Sequence, residues 1–257
     1  KPETISAARR SHLVASLDEA ALLPPAKQLD FFASFATNMP QGCTALFELF
    51  DSIPKFFAGA VTNLTEKQSL PIAYRDFRWN GKNHTAVIEP SIIESEDAEG
   101  HPIRKEVLPG EREEYIWIVL RKMAGDVATQ RDAEDRGLLI RCTLSAIRRE
   151  LAAIRHAYTI AEIREALQIL NKTSIKVTNR ETTKQLYAGN YLTVHYVADT
   201  KDESGERSRC EIYLNKLAGA AIFTGNYDHI NYSRLTSLNR PLSRWIYERL
   251  VLNFRQA

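Results

Sequence analysis

The chain has 257 residues, 44% of them hydrophobic and 26% charged, with a formal net charge of +2. This is the composition of an ordinary globular chain with enough apolar residues for a core, and no apolar run approaches the roughly 18 residues that a membrane-spanning helix needs. Cys43, Cys142 and Cys210 are odd in number and never spaced C-x-x-C, which argues against both a disulfide framework and a zinc site.

The chain begins at Lys1, with neither Met nor a signal-peptide pattern, so the expectation is an excised piece of an intracellular protein. Charge is unevenly spread: residues 1–110 hold 11 Lys and Arg against 14 Asp and Glu, and the remainder holds 23 against 18. A basic second part fits a polyanion partner and fits ordinary surface variation equally well.

Residues 1–40 read as two helices broken at Leu22-Leu23-Pro24-Pro25, the second carrying Leu29, Phe31, Phe32 and Phe35. The expectation for them is an extension that docks on the core. Leu46 to Phe57 is apolar and aromatic, but Asp51 and Pro54 interrupt it before a long helix develops. From Leu70 to Glu89, two β-rich runs flank Asn80-Gly81, the dipeptide that supplies the positive φ angles of a tight hairpin turn. Residues 93–110, with Glu94, Glu96, Asp97, Glu99 and Gly100, lack apolar periodicity and read as an exposed loop.

The first long helix spans Glu111 to about Ala124, with Tyr115, Ile116, Val119, Leu120 and Met123 at helical spacing. Its acids come early and Arg121-Lys122 late, in line with the helix dipole, and Trp117 and Ile118 widen the apolar face enough for burial on two sides. Leu138-Leu139-Ile140 is a short apolar stretch. A helix then starts near Thr143 or Ser145, with Leu144, Ile147, Leu151 and Ile154 inward. A third opens at Thr159 with Glu162 three residues on, the reciprocal capping arrangement, and buries Ile160, Ile163, Leu167 and Leu170.

Two short helices joined by about four residues make a helix-turn-helix. Strands follow at Ser174 to Thr178, Tyr191 to Val197 and Arg209 to Leu214, with the polar and basic stretch Asn179 to Asn190 between the first two. Helix, strand, helix, helix and hairpin is the order of a winged helix. Asn179 to Asn190 would be its wing. The fold class expected is therefore α+β: a winged helix with an N-terminal helical and β-hairpin extension. The domains expected are 1–69 for the helical extension, 70–230 for the winged helix with its added hairpin, and 231–257 for the first helix of a second, truncated winged helix.

The outward face of the third helix carries Ala161, Arg164, Glu165 and Gln168. Arg matches a guanine edge, Gln an adenine edge and Glu the cytosine amino group, although an ordinary solvated face has the same look. Arg141, Arg148, Arg149, Arg155, Lys172, Lys176, Arg180 and Lys184 lie close by in sequence and are suited to hold phosphates, which position a protein on DNA without reading sequence. The candidate DNA-binding residues are thus Arg148, Arg149, Arg155, Arg164, Gln168, Lys172, Lys176, Arg180 and Lys184. No catalytic or metal residue is expected. The six histidines never form H-x-H or H-E-x-x-H, and no phosphate-binding G-x-x-x-x-G-K-[ST] loop occurs, so neither an enzyme nor a cofactor is expected.

The capped run Thr159-Ile160-Ala161-Glu162-Ile163-Arg164-Glu165-Ala166-Leu167, followed by Thr173-Ser174-Ile175-Lys176-Val177, resembles the plasmid replication initiators with tandem winged-helix domains, the TrfA type. Ser208 to Asn215, Phe223-Thr224-Gly225-Asn226-Tyr227, and Leu235 through Tyr247-Glu248-Arg249-Leu250 extend the likeness, which covers residues 70–257. The resemblance implies binding of double-stranded DNA at directly repeated origin sites, local opening of the duplex, recruitment of host helicase and initiator proteins, and no catalysis. It also implies homodimerisation through the first winged helix, most specific contacts from the second, and a cytoplasmic, plasmid-associated location without membrane contact. Ser243 to Phe254 would be the first helix of that second domain, most of which the chain lacks. Two other readings stay open: a dimerisation or interaction module with little DNA contact, and a winged-helix transcription repressor.

Overall fold

The computed structural model describes residues 39–58, 62–63, 69–96, 102–126, 130–131, 138–197, 209–224 and 226–254. The two helices expected within residues 1–40 lie almost wholly outside them. In chain order come β1 (Cys43–Phe47), α1 (Glu48–Ser52), β2 (Thr62–Asn63) and the hairpin β3 (Ala73–Trp79) and β4 (Lys82–Glu89). Next are β5 (Ser91–Glu96), β6 (Pro102–Val107), α2 (Glu111–Asp126), β7 (Gln130–Arg131), β8 (Leu138–Thr143), α3 (Leu144–Ala153) and α4 (Ile160–Lys172). The rest is β9 (Ser174–Asn179), β10 (Gln185–Asn190), β11 (Leu192–Val197), β12 (Arg209–Leu214), α5 (Lys216–Thr224), β13 (Tyr227–Asn231), α6 (Tyr232–Thr236) and α7 (Pro241–Phe254). No described helix is long and apolar enough to cross a membrane.

This is a mixed α+β fold in which every strand pairing is antiparallel. Two four-stranded sheets have the orders β10-β9-β4-β3 and β11-β12-β8-β7, a three-stranded sheet has the order β2-β6-β5, and β1 pairs with β13. The β3–β4 hairpin turns where Asn-Gly predicts: Asn80 and Gly81 have φ of 50° and 74°. Its inward residues Phe77, Trp79, Ala86 and Ile88 join Ile175 and Val177 of β9 in the main core.

The helix α2 is central. Tyr115, Ile116, Trp117, Val119 and Leu120 belong to the main core, while Ile118 faces a second cluster with Leu46, Ile230, Leu235 and Leu252, so burial on two sides is what the fold contains. Each such side chain contributes about 1.5–3 kcal/mol when removed from water. Arg121 is not a dipole-facing surface residue as its late position in the helix predicts. It is fully buried, bonded to Asp51 at 2.8 Å and to Glu248.

The same Asp51 accepts from the Phe47 N–H, the Trp117 indole and Lys55. Burial pushes its carboxyl up, but Arg121, Lys55 and the Phe47 N–H together outweigh that and hold it down to about 2. Glu114 behaves oppositely. Burial raises it to about 7, because Arg244 only partly offsets desolvation and Glu248 adds repulsion.

Residues 93–96 and 102–110 are not an exposed loop, and 97–101 lie outside the described residues. They contain most of the β5–β6 hairpin, in which Ile93 and Val107 pack on Ile169 of α4. Glu94 is exposed and stands opposite exposed Arg104, so charge on the outer face hides the alternation there. Residues 185–190 are likewise a strand, paired to β9, so the stretch read as a wing is half turn and half edge strand.

Candidate nucleic-acid interface

The helix α4 begins at Thr159, whose hydroxyl accepts from the Glu162 N–H while the Glu162 carboxylate accepts from the Thr159 N–H. A cap of this kind contributes about 1 kcal/mol. Ile163, Ala166, Leu167 and Leu170 face the main core, and α4 packs against α2 and α3 on that side. It is flanked by β5 on one edge and β11 on the other.

Between those flanks one stripe points outward. Ala161, Arg164 and Lys172 are exposed and Gln168 is half-buried. The guanidinium of Arg164 sits 5.9 Å from the Tyr196 ring centroid on β11, which holds it over the aromatic face instead of letting it sweep freely. Lys172 donates to the Ile92 carbonyl at 3.2 Å.

Glu165 leaves the reading face. It accepts from Lys105 at 2.9 Å and Arg112 at 3.3 Å, and although burial opposes ionisation these two cations keep its carboxyl below the ordinary range. Both bonds fall on Oε1, so the carboxylate is drawn toward β6 and α2 and away from the outward stripe.

The second group lies on α3 and the turn that follows. Arg148 is half-buried and Arg149 exposed, the latter at a cleft it shares with Arg141 and Arg209. Arg155 has a φ of 67°, the left-handed region that favours glycine. Its N–H donates to Ala152 at 3.0 Å while that of His156 donates to Leu151 at 2.9 Å, the paired bonds of a Schellman closure. A positive side chain thus stands where helix closure by itself favours Gly, exposed in the turn between the two helices.

The third group is on the β9–β10 hairpin. Lys176 points away from the core between buried Ile175 and Val177, in a cross-strand row with Val87 and Tyr74. Arg180 and Lys184 are at the tip, roughly 15–20 Å along the hairpin from the end of α4 at about 3.3 Å per residue. Arg180 is paired with Asp76 at 2.9 Å on the exposed surface.

The nine candidates therefore occupy three neighbourhoods, with Arg164, Gln168 and Lys172 together on one helix stripe. Tyr196, Lys105 and Arg112 are contributors that the sequence pattern did not single out. Tyr196 sits in an alternating strand whose other members looked structural, and the two cations precede Glu165 by 60 and 53 residues. Among the described residues no group of three or more His, Cys, Asp and Glu stands close enough to hold a metal ion.

No protein-family model matches the chain, and no curated protein matches it either. Among solved structures it is similar to domains 2 and 3 of RctB, with a TM-score of 0.45 and 7% identity over 75% of this chain and 66% of that one. The alignment thus spans just under two thirds of the RctB chain. At that level of likeness neither fold family nor function follows.

Proposed function

We propose that the chain is a DNA-binding replication initiator with a winged-helix core, acting by binding and without catalysis. In this reading α2, β8, α3, α4, β11 and β12 make up the winged helix, β9–β10 is an inserted hairpin, and α4 enters the major groove. Strands β11 and β12 then take the place of the wing, which moves it away from Asn179 to Asn190. The observation that carries the DNA-binding part is the α4 stripe: Arg164, Gln168 and Lys172 face outward on a helix whose other sides are packed. Arg and Gln there have the donors and acceptors that base edges require, and Lys172 and Arg155 are suited to phosphates.

The initiator part rests on the sequence resemblance. It supplies the directly repeated origin sites, the duplex opening, the host helicase and initiator as partners, and the plasmid setting. The reading of residues 231–257 as the start of a second module draws support from α7, whose Leu242, Ile246, Leu250 and Phe254 are 64%, 44%, 46% and 69% exposed. Spaced four apart, they form an outward apolar ridge of the kind that packs into another body. The same ridge favours a second reading, a protein-interaction module.

A mobility shift with duplex DNA at two salt concentrations separates the two. Binding that weakens steeply with salt, and weakens further in Arg164→Ala with Lys172→Ala, is the expected result. A folded chain that shows no salt-sensitive binding leaves only the interaction role.

A further inference from the structure

Strands β8 and β12 pair with Cys142 directly opposite Cys210. The two sulfur atoms are 3.5 Å apart, and the Cys210 Sγ is 3.4 Å from the Cys142 carbonyl oxygen. Directly opposed residues of an antiparallel pair have Cα atoms about 4.5 or 5.5 Å apart, and a disulfide spans both separations. Joining these sulfurs therefore needs side-chain rotation and no change of register.

The pair opens into a cleft of about 740 Å³ whose walls carry Arg141, Arg149 and Arg209 as well as Glu150 and Glu211. Cys142 is half-buried and Cys210 is buried, so a small reagent arrives from the Cys142 side. Either thiol can donate to the other sulfur, and their contact opposes ionisation of Cys142 and eases that of Cys210. The third cysteine, Cys43, belongs to a different sheet, opposite Asn231.

We propose that Cys142 and Cys210 are an oxidisable dithiol, a modification site at which hydrogen peroxide converts two thiols into one cross-strand disulfide. The thiolate of the pair attacks the O–O bond and takes up one oxygen as a sulfenic acid. The other oxygen leaves as hydroxide and is protonated to water. The second thiol then displaces the sulfenic hydroxyl, the S–S bond forms, and a second water leaves with the remaining thiol proton. Two thiols lose two electrons and the peroxide is reduced to two waters. The product pins β8, which runs directly into the Thr143 cap of α3, to β12.

The test is made on the full chain with Cys43→Ser, treated with a small excess of hydrogen peroxide, quenched with catalase, denatured and exposed to N-ethylmaleimide. The expected product is a monomer lighter by two hydrogens that takes up no maleimide, yields a linked peptide pair containing Cys142 and Cys210, and recovers both labels after dithiothreitol. Retention of both labels overturns the proposal, as does a gain of oxygen without loss of hydrogen, or a bond between chains. If Cys43→Ser does not fold, the same peptide map on the unsubstituted chain decides, because a Cys142–Cys210 link is distinguishable from any link to Cys43.

Discussion

Arg155 allows helix closure and DNA contact to be measured at one residue. A Cβ held in the left-handed region costs roughly 1–2 kcal/mol. Glycine relieves that cost but gives back about 0.4–1 kcal/mol through the freedom of its unfolded chain. Arg155→Gly and Arg155→Ala both remove the cation, which near a helix C-terminus contributes about 0.3–1 kcal/mol, so that loss cancels between them. The glycine variant is therefore expected to be more stable than the alanine variant by about 0.5–1 kcal/mol. Urea unfolding followed by the fluorescence of buried Trp117 measures this difference. Duplex affinity is expected to fall equally in both, with the slope of log affinity against log salt reduced by about 0.9, the value for one lost phosphate contact. An alanine variant as stable as the glycine variant would refute the strain argument. Unchanged affinity in both would remove Arg155 from the interface.

Lys176→Ala together with Arg180→Ala should weaken binding alike on all sequences and flatten its salt dependence, with most of the effect from Lys176, since Asp76 already holds Arg180; a salt titration of the single and double variants measures it. Gln168→Ala should relax preference at one base pair by about 1–3 kcal/mol, and competition with a panel of single-site duplexes would expose an equal loss on all of them. Glu165→Gln should leave base preference untouched, because Lys105 and Arg112 draw that side chain toward β6 and α2; a changed preference in the same panel would return it to the reading face. Glu114 is raised to about 7, so its contribution to stability is complete below its unfolded value and is lost as pH rises through about 7. Glu114→Gln, which does not titrate, should remove the fall in denaturation midpoint that the parent shows between about pH 5 and pH 8.

Local signals carried well into the structure. Asn80-Gly81 turns the β3–β4 hairpin, Thr159 and Glu162 cap α4, and the periodic run in α2 is the helix that both cores share. What failed was alternation on strands with little apolar surface. β5 and β6 hide their register behind outward charges, and β10 is an edge strand whose residues are exposed or only half-buried. Ala161, Arg164 and Gln168 were legible as an outward stripe from spacing alone, because helix geometry fixes it, while Lys172 reads from sequence as one of the phosphate-holding cations. The capture of Glu165 by Lys105 and Arg112, and the meeting of Cys142 with Cys210, depend on chain segments far apart in sequence, and no local pattern encodes them.

The helix α7 is the clearest case in which local periodicity points the wrong way. Its apolar ridge faces outward, and its inward residues include Arg244 and Glu248. Hydrophobic burial alone would turn the ridge inward, and at about 1.5–3 kcal/mol per fully buried side chain, four that are roughly half exposed would gain on the order of 3–6 kcal/mol. That orientation would strand Arg121 and Glu114, both already buried on α2, away from Glu248 and Arg244. Breaking a buried pair costs about 3–5 kcal/mol, and two pairs are at stake. The ion pairs thus outweigh the ridge, and their effect lies in choosing which face of α7 docks more than in adding net stability. Because the charged face is taken by α2, the apolar face remains outward and available to a further contact.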